Sequence, residues 1–176
     1  DGAVCTFRPD EALSPGVYSM RVAAEDRLGN RSVSSSSEDW GLLVDTTGPE
    51  LEYIGLAADC REHAVAKHEF TAERTPTLTA VVTDKRSVST EPSGFNASGT
   101  VELSVFSDAA LTAAVAGKTL MDPKPRLNSD SWRASWTPLS PLEDGDYCAR
   151  VRATDDAGNT AEFCDFVFTV DTTGPV

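Results

Sequence analysis

Residues 142–175, LEDGDYCARVRATDDAGNTAEFCDFVFTVDTTGP, decide the fold. From Tyr147 to Thr154 the residues alternate, with Tyr147, Ala149, Val151 and Ala153 on one face and Arg150, Arg152 and Thr154 on the other. A period of two marks a strand with one buried face. Asp155-Asp156-Ala157-Gly158-Asn159 interrupts it. Gly and Asn accept positive φ, and Asp side chains satisfy nearby backbone N–H groups, so this is turn chemistry. A second strand follows, with Phe163, Phe166, Phe168 and Val170 among its apolar members. It ends at Asp171-Thr172-Thr173-Gly174-Pro175, where proline removes a ladder donor and glycine frees the backbone.

The same unit occurs earlier in the chain. LSPGVYSMRVAAEDRLGN (13–30) aligns without a gap on LEDGDYCARVRATDDAGN (142–159). Leu, Gly, Tyr, Arg, Val, Ala, Asp, Gly and Asn coincide. Upstream, Phe7-Arg8-Pro9 falls on Trp136-Thr137-Pro138. Downstream, Val44-Asp45-Thr46-Thr47-Gly48-Pro49 recurs as Val170 to Pro175. A repeat this long implies a tandem array of domains. The expected division is the C-terminal strands of one repeat over 1–45, a linker over 46–50, a complete repeat over 51–171, and the start of the next linker over 172–176. The chain then reads as a segment of a longer protein, with any targeting signal outside it.

Composition limits the possible functions. The 176 residues are 40% hydrophobic, enough for one full core and part of another. Long stretches of period 3.6 are missing, so the expected class is all-β. A net charge of −13 argues against nucleic acid, because phosphate binding needs a basic face. No apolar run is long enough to span a bilayer. His63 and His68 are the only histidines, and neither a Ser/His/Asp nor a Cys/His pattern surrounds them. Gly-rich phosphate loops are absent. Catalysis is therefore not expected.

Four cysteines, Cys5, Cys60, Cys148 and Cys164, contain no CxxC pair. Cys148 and Cys164 lie on the two strands of the hairpin and are candidates for a disulfide. Their phases differ, so a bridge would need a β-bulge. Two unpaired thiols, or a pairing of Cys60 with one of them, are the alternatives.

Further strands are expected over Ala3–Phe7, Val17–Ala24, Gly41–Val44, 51–57, Leu78–Val82, Val101–Phe106, Thr112–Met121 and Trp132–Trp136. Ala58 to Arg74 reads as a polar connector. Lys85 to Gly99 and Asp122 to Pro125 read as a loop and a turn. Seven short alternating strands per repeat point to a two-sheet sandwich.

Leu142-x-x-Gly145-x-Tyr147, then Val151-x-Ala153-x-Asp155-x-x-Gly158-Asn159, resembles the bacterial immunoglobulin-like repeats of surface adhesins and other large secreted proteins. Val170 to Pro175 is similar to the linkers between such repeats, and Trp136-Thr137-Pro138 fits the same family. The resemblance implies an immunoglobulin-like β-sandwich. It puts Tyr147, and Tyr18 in the first repeat, at a tyrosine corner, where the hydroxyl bonds back to the upstream backbone. The antibody-type cysteine pair between sheets is missing, so antigen-like recognition is not implied.

In that topology Asp45, Asp84, Asp155, Asp156 and Asn159 converge at the end of the sandwich where the linker arrives. Ca²⁺ takes six to eight oxygen ligands from such groups, and related arrays bind Ca²⁺ between repeats. The simpler reading is ordinary turn chemistry. In the first repeat Arg27 replaces Asp156, which would weaken such a site. The expected role is a non-catalytic spacer of a cell-surface or secreted bacterial protein. Its partners would be neighbouring repeats and, through the parent protein, host or cell-surface glycans or proteins. Alternatives are a glycan- or protein-binding module, which would need Trp40, Phe95 or Trp132 exposed, and a spacer in a secreted hydrolase.

Overall fold

A computed structural model describes residues 6–33, 40–56, 68–84, 99–121 and 131–174. Among these there are twelve strands and no helix: β1 (Gly16–Met20), β2 (Ala23–Glu25), β3 (Arg31–Val33), β4 (Trp40–Val44), β5 (Glu50–Gly55), β6 (His68–Thr71), β7 (Leu78–Thr83), β8 (Thr100–Phe106), β9 (Gly117–Met121), β10 (Ser131–Pro138), β11 (Gly145–Thr154) and β12 (Thr160–Val170).

Strands β5 to β12 form two four-stranded sheets, ordered β5-β7-β10-β9 and β6-β12-β11-β8. This is the strand distribution of an immunoglobulin-like sandwich, with the first strand shared between the sheets as β5 and β6. The alternation read from the sequence builds the core. Ile54, Leu78, Ala80, Val82, Ala134 and Trp136 face inward from one sheet. Val101, Leu103, Val105, Ala149, Val151, Ala153, Phe166, Phe168 and Val170 face inward from the other, and all are buried. Burying a single such side chain is worth about 1.5–3 kcal/mol, so this interface dominates the stability of the sandwich.

The tyrosine corner closes the lower edge. Tyr147 Oη donates to the carbonyl of Glu143 at 2.9 Å, and its ring stacks on Phe168 at 5.3 Å between centroids. Burial of the ring pushes the phenol pKa above its ordinary value. Tyr18 makes the same bond to Ser14 at 2.7 Å.

The first repeat copies the hairpin of the second residue for residue. β1 pairs with β4 through Gly16↔Val44, Tyr18↔Leu42 and Met20↔Trp40. β11 pairs with β12 through Gly145↔Val170, Tyr147↔Phe168 and Ala149↔Phe166. The two pairings coincide when the repeats are aligned, 13–30 on 142–159 and 44–49 on 170–175.

Three expectations need correction. Val17–Ala24 is not one strand: it breaks at Arg21 and Val22 into β1 and β2. In β11 the matching residues, Arg150 and Val151, stay in the strand by pairing with Ser104 and Leu103 of β8, with Val151 buried in the core, whereas Val22 is 66% exposed. Ala58–Arg74 is not all connector, because β6 pairs parallel to β12 from His68↔Val167 to Thr71↔Val170. Four residues with only Phe70 strongly apolar carry too little periodicity to be read. Thr112–Met121 shortens to β9, with a single bridge from Ala114 to Phe106 upstream. The strand expected over Ala3–Phe7 lies largely outside the described residues, and Thr6 and Phe7 belong to no strand. The loop and turn expected within 85–98 and 122–130, together with Cys5, Cys60 and His63, also lie outside them.

The candidate disulfide between Cys148 and Cys164 is absent: both thiols are free and half-buried. A bulge does occur, since the register shifts between Ala149↔Phe166 and Val151↔Phe163. It leaves Cys148 opposite Val167, however, three residues along the strand from Cys164. That is roughly 10 Å of strand, beyond the Cα separation a disulfide tolerates. Burial, with Asp108 and Asp146 nearby, pushes the Cys148 thiol pKa up. Burial and the hydrogen bond to Glu162 do the same for Cys164.

Candidate functional site at the Asp45 linker

Strand pairing gathers the site at one end of the sandwich. β5 begins at Glu50, opposite Thr83 at the end of β7, so the linker before β5 meets Asp84 just after β7. Thr154 at the end of β11 lies between Thr100 of β8 and Thr160 of β12. The loop Asp155–Asn159 therefore caps the same end.

The loop builds itself locally. Asp155 N donates to the carbonyl of Asn159 at 3.0 Å, and Gly158 N to that of Asp155 at 3.2 Å. Gly158 sits at φ +94°, a conformation open to glycine and strained for other residues. Asp155 Oδ1 accepts from Asn159 N at 2.8 Å, and Asp155 Oδ2 from Asn159 Nδ2 at 2.9 Å. The same Nδ2 reaches the linker, donating to the carbonyls of Asp45 at 3.1 Å and Thr47 at 3.2 Å. Within the linker, Thr47 N donates to Asp45 Oδ1 at 2.9 Å. Asn159 thus ties loop and linker together.

Three of the five expected site residues come together. Oxygens of Asp45, Asp84 and Asp155 lie within 4.8 Å of one another. Asp84 and Asp155 are 0% and 1% exposed, and Asp45 is half-buried. Asp156 turns elsewhere: its Oδ1 accepts from Gly99 N at 2.6 Å and holds the start of β8. Asn159 stands beside the carboxylates and presents its NH₂, so it acts as a donor.

The electrostatics of the three carboxylates are unfavourable if all are ionised. At 4.8 Å and an effective dielectric of about 20, each pair repels by roughly 3 kcal/mol. Hydrogen bonds from Asn159 to Asp155 and from Thr47 N to Asp45 offset part of it, and a bound cation would offset more. The donor set fits a hard cation, because all three donors are carboxylate oxygens. Two ligands on opposite sides of a Ca²⁺ at about 2.4 Å would stand about 4.8 Å apart, so the spacing is compatible. Zn²⁺ would favour nitrogen or sulfur, and no His or Cys belongs to the group.

A model of the bacterial Ig-like domain matches residues 64–172. The chain belongs to that family. As a bacterial Ig-like domain it is expected to supply a structural module, and the sandwich described above is that module. No curated protein matches the chain in sequence. Among solved structures, the selenomethionine form of PcoC, a copper resistance protein from Escherichia coli, is similar at 17% identity. The match covers 69% of this chain and 99% of that one, with a TM-score of 0.39.

The sequence does not reveal two contacts. Asp144, just before β11, receives Thr172 Oγ1 at 2.8 Å and Thr173 Oγ1 at 3.2 Å, which anchors the outgoing linker. These hydrogen bonds, Thr172 first, hold the Asp144 pKa below its ordinary value. On β6, His68 and Phe70 stack at 4.6 Å, and Phe70 is 74% exposed. Trp132, by contrast, is half-buried and packs against the core.

Proposed function

We propose that this chain is a spacer segment of a tandem immunoglobulin-like array in a bacterial surface or secreted, adhesin-like protein. It performs no chemistry itself. Residues 1–45 are the closing strands of one repeat, 46–50 the linker, and 51–171 the next repeat. The shared hairpin register supports this division. Val22, Met20 and Leu42 form an apolar face on β1, β4 and the turn between β1 and β2 that is substantially exposed. A sheet like β5-β7-β10-β9 would cover it. No helix among the described residues is long and apolar enough to cross a membrane.

The observation that carries this reading is the seating of the linker, through its carbonyls, on Asn159 of the following sandwich. A spacer must transmit orientation from one module to the next, and a linker fixed to its neighbour does so. We propose further that Ca²⁺ binds Asp45, Asp84 and Asp155. Bound there, the ion offsets two of the three carboxylate charges and ties linker, β7 end and loop into one unit.

Thermal melts of the chain in Ca²⁺ and in EDTA test the ion. At ten times its dissociation constant a ligand adds about 1.4 kcal/mol, which raises the Tm by several degrees. Coincident melts remove Ca²⁺ from the proposal. Small-angle scattering tests the joint: a single rigid arrangement must fit the profile, and a broad ensemble of bent forms sinks the spacer reading. One feature favours a binding role instead, the exposed Phe70 stacked on His68. Aromatic faces of this kind can stack on sugar rings, and a glycan array with the chain and Phe70→Ala would find such a ligand.

A further inference from the structure

We infer that the loop Asp26–Asn30 is a second socket, built to seat an extended Asp-Thr-Thr-Gly linker as Asp155–Asn159 seats Asp45–Gly48. This rests on the tandem-repeat reading. Every internal bond of the occupied socket recurs in the first repeat. Asp26 N donates to the carbonyl of Asn30 at 3.0 Å, and Gly29 N to that of Asp26 at 3.1 Å. Asn30 N donates to Asp26 Oδ1 at 2.8 Å, and Asn30 Nδ2 to Asp26 Oδ2 at 2.7 Å. Gly29 takes φ +83° where Gly158 takes +94°. The difference lies in the outward contacts. Asn159 Nδ2 also reaches two linker carbonyls, whereas among the described residues Asn30 Nδ2 reaches Asp26 alone.

The matching part is present too. At the other end of the chain, Thr173 N donates to Asp171 Oδ1 at 2.9 Å, the same turn that Thr47 and Asp45 form at 2.9 Å. The same Asp-to-Thr bond therefore forms in the outgoing linker, which is held by Asp144 through Thr172 and Thr173 rather than by a socket. Gly48 shows how near the linker runs: a Cβ built there would lie 3.7 Å from the carbonyl oxygen of Thr160, in ordinary van der Waals contact with the strand leaving the loop. Each repeat thus carries a socket in its Asp-x-x-Gly-Asn loop and ends in a linker shaped for the next socket. In the first socket Arg27 stands where Asp156 does in the second. In the second socket Asp156 points away from the linker to Gly99, so the exchange leaves the socket's amide donor, Asn30, in place.

The test is a titration of the ¹⁵N-labelled full chain, in EDTA, with a synthetic peptide of sequence TVDTTGPV (169–176). So few hydrogen bonds give an affinity no tighter than millimolar. Peptide titrated to about 10 mM should shift the Asn30 side-chain NH₂ and the Gly29 amide progressively, toward saturation. Asn159, whose socket is filled by the covalent linker, should not move. Asn30→Ala should abolish the response while resonances of 50–170 stay in place, and a peptide with Ala for Asp171 should bind several-fold more weakly. Three results would overturn the inference: no shift at Asn30, an unchanged response in Asn30→Ala, or a response that appears only with Ca²⁺. The joint at Asp45 and its own scattering and melting tests would stand in each case.

Discussion

Replacing Asn159 separates a clamp that works through the amide from one that works only through a cation. The side chain has two N–H hydrogens and meets three acceptors: a carboxylate oxygen of Asp155 and the carbonyls of Asp45 and Thr47. Two bonds' worth of donation is the most it can supply. One goes to a charged acceptor, worth about 1.5–3 kcal/mol, and one to neutral carbonyls, worth about 1 kcal/mol. Asn159→Ala should therefore destabilise the chain by roughly 2.5–4 kcal/mol, in Ca²⁺ and EDTA alike. Asn159→Asp keeps the shape but replaces the donor by a fourth carboxylate. In EDTA it should cost about 1–2 kcal/mol more than the alanine variant, from repulsion at an effective dielectric of about 20 partly screened by solvent. In millimolar Ca²⁺ it should recover most of that difference, since it adds an oxygen ligand. Urea unfolding followed by the fluorescence of Trp132 and Trp136 measures all three proteins. With an m-value near 2 kcal/mol per molar, the alanine loss appears as a midpoint shift of roughly 1.3–2 M. If both variants unfold with the wild type, the amide does not hold the linker. If aspartate gains nothing from Ca²⁺, the carboxylates are not an ion site.

Three other outcomes follow from the geometry. Gly117→Ala drives a methyl group into the Trp136 indole, which is 2% exposed and fixed in the core, so the sandwich should lose about 2–3 kcal/mol by urea unfolding. Asp144 has its folded pKa lowered by Thr172 and Thr173, so its contribution is complete above its ordinary value of 3.8 and disappears as pH falls through the folded value. Asp144→Asn should accordingly lower the Tm at pH 7 and converge with the wild type in acid, and a constant difference across pH refutes the assignment. The double variant Cys148→Ser, Cys164→Ser should melt within about 1 kcal/mol of the wild type, and dithiothreitol should leave the melt of both unchanged; a bridged pair would instead lose about 3 kcal/mol.

The sandwich was legible because its signal is local and repeated. Alternation along Tyr147–Thr154, the Asp-x-x-Gly-Asn turn and the duplicated hairpin all act within a few residues of one another. They name the two strands and the core face of β11 correctly, but not the register, which puts Cys148 opposite Val167 and away from Cys164. β6 escaped because its pairing depends on a non-local partner: its place beside β12 is set by Val167–Val170, a hundred residues on. The break in Val17–Ala24 escaped for the complementary reason. Its sequence is as strand-like as that of β11, but continuity there comes from pairing with β8, and a pattern of alternation does not report whether such a partner is present.

The carboxylates show where reading by residue type succeeds and where it stops. Topology alone brings Asp45, Asp84 and Asp155 to one end, because each terminates or precedes a strand whose neighbour is known. Direction within the loop is another matter. Asp156 and Asn159 flank the same turn, yet one turns to Gly99 and the other to the linker. Asn can serve as ligand oxygen or as donor, and only the neighbouring carbonyls decide which. Those carbonyls belong to backbone, which every sequence carries at every position. The joint therefore rests on backbone acceptors that only the folded linker presents. Asp45 matters for the same reason: its Oδ1 accepts from Thr47 N and closes a turn in the linker, and that bond, repeated between Thr173 N and Asp171, is what the chain has duplicated along with its strands.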